Sequence, residues 1–175
     1  MIYTEQNGVI IRDLQAADAP ILVKGEIDQG WHATMDKYEM RLAHREKGMC
    51  VSLVAETGGV PVGYINVYPD SKWGAFGGNG LPEIVDFAVL EKFRGRGIGA
   101  LLMDAAEHIA ARYADTVYLG VGLHSGYGSA QRMYVKRGYI PDGTGVWYRD
   151  QVCAPYAPCE NNDSLVLYLS KKLKP

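Results

Sequence analysis

The sequence has 175 residues, of which 47% are hydrophobic and 22% charged, a composition typical of a globular chain long enough to bury a sizeable core. A formal charge of −2 at pH 7 argues against binding nucleic acid by neutralising its phosphates. Cys50, Cys153 and Cys159 lack the spacing of a disulfide framework or a zinc site, and no apolar run is long enough to span a membrane. The cysteine spacing therefore leads us to expect no metal. The N-terminus also lacks the features of a secretory signal, so we expect a cytoplasmic protein.

The first half of the chain predicts a strand, two helices and two more strands. GVIIRDLQ, residues 8–15, is a short apolar run that favours a strand. A helix is expected to begin near Asp18–Pro20, because proline is tolerated in a first helical turn. Residues 32–47 carry apolar side chains at helical spacing. MCVSLVAE (49–56) and VGYINVYP (62–69) flank the turn-forming TGGVP and predict a β-hairpin.

The second half of the chain alternates strands with two helices. EIVDFAVL, residues 83–90, predicts a strand, and an amphipathic helix follows from Ile98. TVYLGVGL predicts the next strand, and SAQRMYVKRG predicts a short helix that stops at Gly138. GVWYRDQV and SLVLYLSKKL predict the last two strands. The order β-αα-βββ-α-β-α-ββ, without repeats or a linker, predicts one α/β domain with a mixed sheet over residues 1–175.

The most specific segment, EKFRGRGIGALLMDAAEHIA, lies at residues 91–110. Three glycines and two arginines occupy residues 94–99 in front of the predicted helix, an arrangement that exposes backbone N–H groups and suits a phosphate. The nucleotide-binding pattern GxxxxGK[ST] is absent. Gly95, Gly97 and Ala100 fit the dinucleotide pattern GxGxxA, but they follow the fourth predicted strand, and no acidic residue ends the next one. A nicotinamide cofactor is therefore disfavoured.

The motifs on either side of this turn are similar to those of the GNAT N-acetyltransferases. The acetyl-CoA loop of that family, R/Q-x-x-G-x-G/A, is matched by Arg94, Gly97 and Gly99. VAETGGVPVGYINV resembles the family's central hairpin, and FAVLEKFRGRGIGALLM resembles its strand–loop–helix core. SAQRMYVKRGYI resembles its A-x-x-L-Y-x-x-x-G-F segment, with Met133 for leucine and Tyr139 for phenylalanine. The three motifs follow one another in the family's order.

The resemblance implies a GNAT-like domain with a mostly antiparallel central sheet, splayed between the fourth and fifth predicted strands and flanked by helices. It implies acetyl-CoA as cosubstrate, with its pyrophosphate on the loop and its pantetheine beside the fourth predicted strand. Many members carry an asparagine where this chain has Tyr127, so Ser125 or Ser129 is expected to replace it. The residues expected to bind acetyl-CoA are Phe87, Ala88, Val89, Arg94, Gly95, Arg96, Gly97, Ile98, Gly99 and Ser129.

The resemblance also implies two catalytic side chains. Tyr134 matches the tyrosine that protonates the departing CoA thiolate. Glu83 matches the glutamate base of the histone-acetylating branch, which accepts the proton of the amine. Asp86, which strict alternation places on the opposite face of the strand from Glu83, and a chain of water molecules are the alternatives for the base.

Together these features predict an N-acetyltransferase that moves acetyl directly to a primary amine of a small molecule, or of a peptide, in a ternary complex. A non-catalytic acyl-CoA sensor on the same scaffold is the alternative. No nucleic acid or membrane partner is expected, and a homodimer is considered because similar proteins often form one. The acceptor stays open among aminoglycosides, polyamines, amino-acid derivatives and protein amines.

Overall fold

The computed structural model describes residues 1–173, which form nine β-strands and four α-helices. The strands are β1 (Ile2–Gln6), β2 (Val9–Asp13), β3 (Val51–Thr57), β4 (Val60–Tyr68), β5 (Glu83–Val89), β6 (Thr116–Gly122), β7 (Ile140–Tyr148), β8 (Gln151–Val152) and β9 (Leu165–Lys172). The helices are α1 (Ala19–Asp28), α2 (Met35–Glu46), α3 (Ile98–Ala110) and α4 (Gly128–Lys136). Within these described residues no helix is long and apolar enough to cross a membrane.

The chain divides into two compact units. The first contains Met1–Tyr68 and Ile84–Ile109, and its strands follow the order β1-β2-β3-β4-β5. The second contains Pro69–Glu83 and the described residues from Ala110 onward, with strand order β6-β9-β7-β8. Neighbours among β1 to β4 are antiparallel, as are β6 with β9, β9 with β7, and β7 with β8. The predicted α/β class with a mostly antiparallel sheet is confirmed.

The extent of the domain was predicted as residues 1–175. That a single domain covers this range stays a prediction, and its residues 174 and 175 lie outside the described part of the chain.

Two-residue turns build three of the hairpins. Asn7 and Gly8 join β1 to β2, Gly58 and Gly59 join β3 to β4, and Arg149 with Asp150 joins β7 to β8. All six residues have positive φ, between 53° and 77°, which is the backbone of the type I′ turn favoured by the twist of a hairpin.

Two of these hairpins differ from the sequence prediction. The strand predicted at residues 8–15 is the second arm of a hairpin, so β5 and β6 correspond to the fourth and fifth predicted strands. The strand predicted over 145–152 is interrupted at Arg149–Asp150, and β7 begins earlier, at Ile140. The helix predicted from residue 32 begins at Met35.

The core of the first unit supports β5 from one side. Leu14, Leu22, Tyr38, Val54 and Tyr64 form a buried cluster against which Ala88 of β5 packs.

A glycine on β4 allows β5 to approach closely. A Cβ at Gly63 would lie 2.8 Å from the carbonyl oxygen of Ala88, so a larger residue would push the two strands apart.

Candidate active site

The glycine loop at residues 94–99 leads directly into α3. Gly95 and Gly97 have φ of +76° and +80°, which L side chains rarely adopt, and a Cβ on either would meet no atom within 4 Å. The carbonyl oxygen of Gly97 accepts a hydrogen bond from the N–H of Leu101 at 3.2 Å, so the loop ends as the first turn of the 13-residue helix. Backbone N–H groups at such a terminus attract an anion, and the exposed loop leaves room for one to approach.

The two arginines of the loop contact other parts of the first unit. Arg94 donates from Nε to the carbonyl oxygen of Val89 at 3.0 Å, and its guanidinium lies 5.4 Å from the centre of the Trp31 ring. Arg96 donates to the carbonyl oxygen of Lys92 at 3.3 Å and is exposed. The backbone N–H groups and the two guanidinium charges are therefore the positive groups of this loop.

The remaining loop residues differ in exposure. The Ile98 side chain is buried in the first unit, whereas Gly99 is partly exposed in the first turn of α3. Their backbone N–H groups belong to the helix N-terminus, where intrahelical partners are missing.

Strand β5 has an irregular middle. Phe87 and Ala88 are partly buried and Val89 is buried, while Asp86 has φ +57°. Because strict alternation requires extended backbone throughout, it does not hold at Asp86. Alternation therefore does not determine on which face of β5 the Asp86 side chain lies.

Glu83, at the start of β5, belongs to a polar cluster in the second unit. Its side chain is 8% exposed, and Oε2 accepts a hydrogen bond from the Ser71 hydroxyl at 2.5 Å. Tyr118 lies in the same cluster and donates its hydroxyl to the carbonyl oxygen of Trp73 at 2.8 Å. Burial, followed by the charge of Glu83, raises the pKa of the Tyr118 phenol, so this hydroxyl stays protonated.

Tyr134 lies on α4 with its side chain 5% exposed. Its ring packs against Tyr139 with ring centres 5.8 Å apart. Burial raises the pKa of the Tyr134 phenol above its ordinary value, and the nearby Tyr127 adds to the effect. Tyr134 therefore carries its proton throughout the neutral range, as a proton donor requires.

The entrance to α4 is held by a group of side chains around Asp163. Its Oδ1 lies 2.9 Å from His124 Nε2 and accepts a hydrogen bond from the Tyr127 hydroxyl, also at 2.9 Å. His124 Nδ1 accepts from the N–H of Gly126 at 3.1 Å, so the other nitrogen carries the proton. Both ring nitrogens of His124 are thus engaged within this group. Ser129 is exposed in the first turn of α4.

Comparison with protein families decides the assignment. The profile described as Acetyltransferase (GNAT) family matches residues 11–139, a range that contains β5, the glycine loop and α4. The chain belongs to the GNAT family. The resemblance recognised in the sequence motifs is confirmed.

Solved structures share the GNAT fold at low sequence identity. Ard1 from Thermoplasma volcanium is 21% identical with a TM-score of 0.67, covering 96% of this chain and 99% of its own. The Salmonella typhimurium acetyl transferase that modifies the N-terminal serine of 50S ribosomal subunit protein L7/L12 is 11% identical with a TM-score of 0.72, covering 99% and 100%. Salmonella typhimurium yncA with its cofactor acetyl-CoA is 17% identical with a TM-score of 0.66, covering 95% of both chains. A search of curated proteins found no match.

Sequence reasoning selected the GNAT loop, Glu83 and Tyr134 but missed the polar partners of Glu83 and of Tyr127, the residue before α4. Ser71 donates a hydrogen bond to Glu83, and Asp163 accepts one from Tyr127. Both residues lie in loops without a motif. The only sequence signal for either residue was that a loop contains polar residues. That signal does not identify the partners, because Glu83 lies 12 positions from Ser71 and Tyr127 lies 36 positions from Asp163. The roles given to the individual site residues remain predictions.

Proposed function

We propose that this GNAT chain is an N-acetyltransferase that moves acetyl from acetyl-CoA directly to a primary amine of a small molecule or peptide in a ternary complex. The observation that carries the proposal is the open, positive-φ glycine loop at the N-terminus of α3, in a chain with the matching family profile. A related fold has been solved with acetyl-CoA as its cofactor, which supports this choice of cosubstrate.

The loop residues fit a diphosphate. Gly95 and Gly97 allow close approach to the backbone, and the N–H groups from the loop through Ile98 and Gly99 would bind the negative charge. Arg96 is exposed beside them and would add positive charge, whereas Arg94 would act mainly through its backbone. Ser129, on the first turn of α4, is proposed as the pantetheine contact that replaces the family's asparagine.

Bound acetyl-CoA supplies an acetyl group activated as a thioester. Backbone N–H groups around Phe87, Ala88 and Val89 are proposed to donate to the thioester oxygen as negative charge develops there. Glu83 would accept the proton of the attacking amine, whose unperturbed pKa is about 10.4 for an alkylammonium. As the new C–N bond forms and the C–S bond breaks, Tyr134 would give its proton to the sulfur.

The test is an assay in which the protein is given acetyl-CoA and one amine of a panel at a time, and the free thiol of released CoA is measured. The panel contains a polyamine, an aminoglycoside, an amino-acid derivative and a peptide beginning with serine, the residue modified by the Salmonella relative. Release with one acceptor class is expected. Acetyl-CoA binding measured by calorimetry without release from any acceptor favours the sensor, and absence of binding overturns the proposal. A cytoplasmic location and a homodimer stay predictions.

Gly97→Ala is expected to weaken acetyl-CoA binding. Holding an L-residue in the left-handed region costs about 1–2 kcal/mol, so we expect the dissociation constant to rise about tenfold. Gly58→Ala is the matched control, because Gly58 also has positive φ (+57°) and open space around its Cβ position but lies in the β3–β4 turn. Calorimetry on both variants checks the prediction. Equal affinity of the two variants would contradict a role for the loop.

Glu83→Gln tests the proposed base. We expect kcat/KM at neutral pH to fall about 100-fold or more, because a positioned base typically contributes 10²- to 10⁴-fold. Asp70→Asn removes an exposed carboxylate from the same unit and is expected to leave the rate unchanged. Initial rates over a pH series compare the two variants. An unchanged rate in Glu83→Gln would assign proton removal to another group.

A further inference from the structure

Asp86 adopts an unusual backbone conformation for a residue inside a strand. Its φ of +57° lies in the left-handed region, which costs an ordinary L-residue about 1–2 kcal/mol. Asp and Asn are the non-glycine residues that occupy this region most readily. In a strand, a residue with this conformation changes the direction of the flanking peptide groups relative to extended backbone. The next residue is Phe87, where the proposed thioester donors begin.

Two side chains of the first unit contact the backbone and carboxylate of Asp86. Asn66 on β4 is 2% exposed, and its Nδ2 donates to the carbonyl oxygens of Val85 at 3.3 Å and of Asp86 at 3.4 Å. A single amide group thus bridges the carbonyls on both sides of the Asp86 α-carbon. Arg41 Nη2 lies 3.6 Å from the Asp86 carboxylate.

The Arg41 guanidinium is itself held in place. It donates to the Tyr68 hydroxyl, which lies 2.7 Å from His44 Nδ1. The carboxylate of Asp86 therefore faces a fixed positive charge, and its side chain is three-quarters buried. An acid engaged in this way is better suited to fixing its own backbone than to removing a proton from an amine.

We propose that Asn66 and Asp86 are positioning residues that set the direction of the β5 backbone N–H groups toward the thioester. Asp86 supplies the left-handed conformation, Arg41 anchors its carboxylate, and Asn66 holds the two carbonyl groups. The inference rests on the proposed function, and it assigns Asp86 a role in orienting the strand instead of the role of base.

Substitutions at Asp86 separate conformation from charge. Asp86→Asn removes the charge but tolerates positive φ and keeps an oxygen that can accept a hydrogen bond from Arg41, whereas Asp86→Val has neither property. We expect kcat to stay within about threefold of wild type in Asp86→Asn, and to fall about 10- to 100-fold in Asp86→Val, since one misplaced oxyanion donor costs up to 10²- to 10³-fold. The dissociation constant of acetyl-CoA should change less than kcat. Equal loss of kcat in the two variants would overturn the proposal and assign chemistry to the carboxylate.

Asn66→Ala tests the second residue and has a matched control. Ser52 pairs with Asn66 across β3 and β4 and is also buried, but its hydroxyl contacts Cys50 at 3.5 Å. We expect kcat to fall about tenfold in Asn66→Ala at an acetyl-CoA affinity near wild type, and to stay unchanged in Ser52→Ala. Equal kcat in the two variants, at equal stability to denaturant, would contradict a positioning role for Asn66.

An NMR measurement tests the geometry independently of acetyl transfer. A positive φ brings the amide and α protons of one residue close together, so wild-type Asp86 should show a strong intraresidue cross-peak between them. We expect this cross-peak to weaken in Asn66→Ala and persist in Ser52→Ala. A weak wild-type cross-peak would overturn the inference even if the protein is an acetyltransferase. A strong one without turnover by any amine would instead contradict the proposed function.

Discussion

Tyr134→Phe is expected to lower kcat about 100-fold or more while the dissociation constant of acetyl-CoA stays within about threefold, because a positioned acid contributes 10²- to 10⁴-fold. The substitution removes only the hydroxyl and keeps the ring that packs on Tyr139. Without that proton, the sulfur must leave as a thiolate. Single-turnover rates with saturating acetyl-CoA measure the step directly.

The pH dependence adds a second expectation for Tyr134. Burial raises its pKa, so the phenol stays protonated past the ordinary tyrosine value of about 10. Ionisation of Tyr134 should therefore cause no loss of kcat between pH 7 and about pH 10. A fall in kcat over that interval that disappears in Tyr134→Phe would contradict the environment described for this residue.

Tyr139→Phe is the control for the acid. Tyr139 is also buried, and its ring contacts the Tyr134 ring, so its substitution tests the loss of a buried hydroxyl from the same aromatic pair. We expect kcat of Tyr139→Phe within about threefold of wild type, whereas the acid role predicts the hundredfold loss above. Similar losses in both variants would indicate a packing effect and argue against Tyr134 as the acid.

The glycine loop and α3 could be predicted because their sequence signals lie within a few neighbouring residues. The glycine loop and α3 follow from composition and helical periodicity, and the family profile confirms the motifs around them. The Asn7–Gly8 hairpin had a local signal that was not used, since Asn-Gly is the preferred type I′ pair. Arg149–Asp150 forms the same turn without glycine, so composition did not indicate it.

Contacts between distant residues could not be predicted. Alternation fails in β5 because Asp86 tolerates a left-handed backbone, a property shared with many aspartates that remain extended. The contacts of Asn66 with β5 and of Ser71 with Glu83 depend on which strands and loops become neighbours. Periodicity reports which face of an element is buried but does not identify the partner of a buried polar group.

The contacts of Glu26 are another example of interactions between distant residues, and we expect them to contribute strongly to the free energy of unfolding. This carboxylate lies on α1 and is 2% exposed. It accepts hydrogen bonds from the hydroxyls of Tyr38 at 2.9 Å and Tyr64 at 2.6 Å, and from Lys37 Nζ at 2.8 Å. Lys37 also lies over both tyrosine rings, 4.8 and 4.5 Å from their centres. Lys37 Nζ also donates to the Tyr64 hydroxyl at 2.7 Å. Removing Glu26 therefore leaves two buried hydroxyls without this acceptor and Lys37 without its carboxylate partner.

Glu26→Ala is therefore expected to lower the free energy of unfolding by about 3–5 kcal/mol, the cost of removing one partner from a buried ion pair. Denaturant titration of the whole chain measures the loss. Asp28→Ala is the matched control, because Asp28 pairs with Lys24 on the same helix but is exposed. We expect its loss to stay below about 1 kcal/mol. Equal losses in the two variants would show that burial of Glu26 adds nothing to its ion pair.

Alkaline unfolding provides an independent check on the same cluster. Burial first, and then the charge of Glu26, raises the pKa of Tyr38; burial, followed by the charge of Asp86, raises that of Tyr64. A pKa raised in the folded state gives stability that is complete below the unfolded tyrosine value of about 10 and is lost as the pH rises above it. We therefore expect wild-type stability to fall above about pH 10, with the tyrosinate absorbance of Tyr38 and Tyr64 appearing only on unfolding. In Glu26→Ala the raising effect of the carboxylate is absent, so the decline should extend over a narrower pH range.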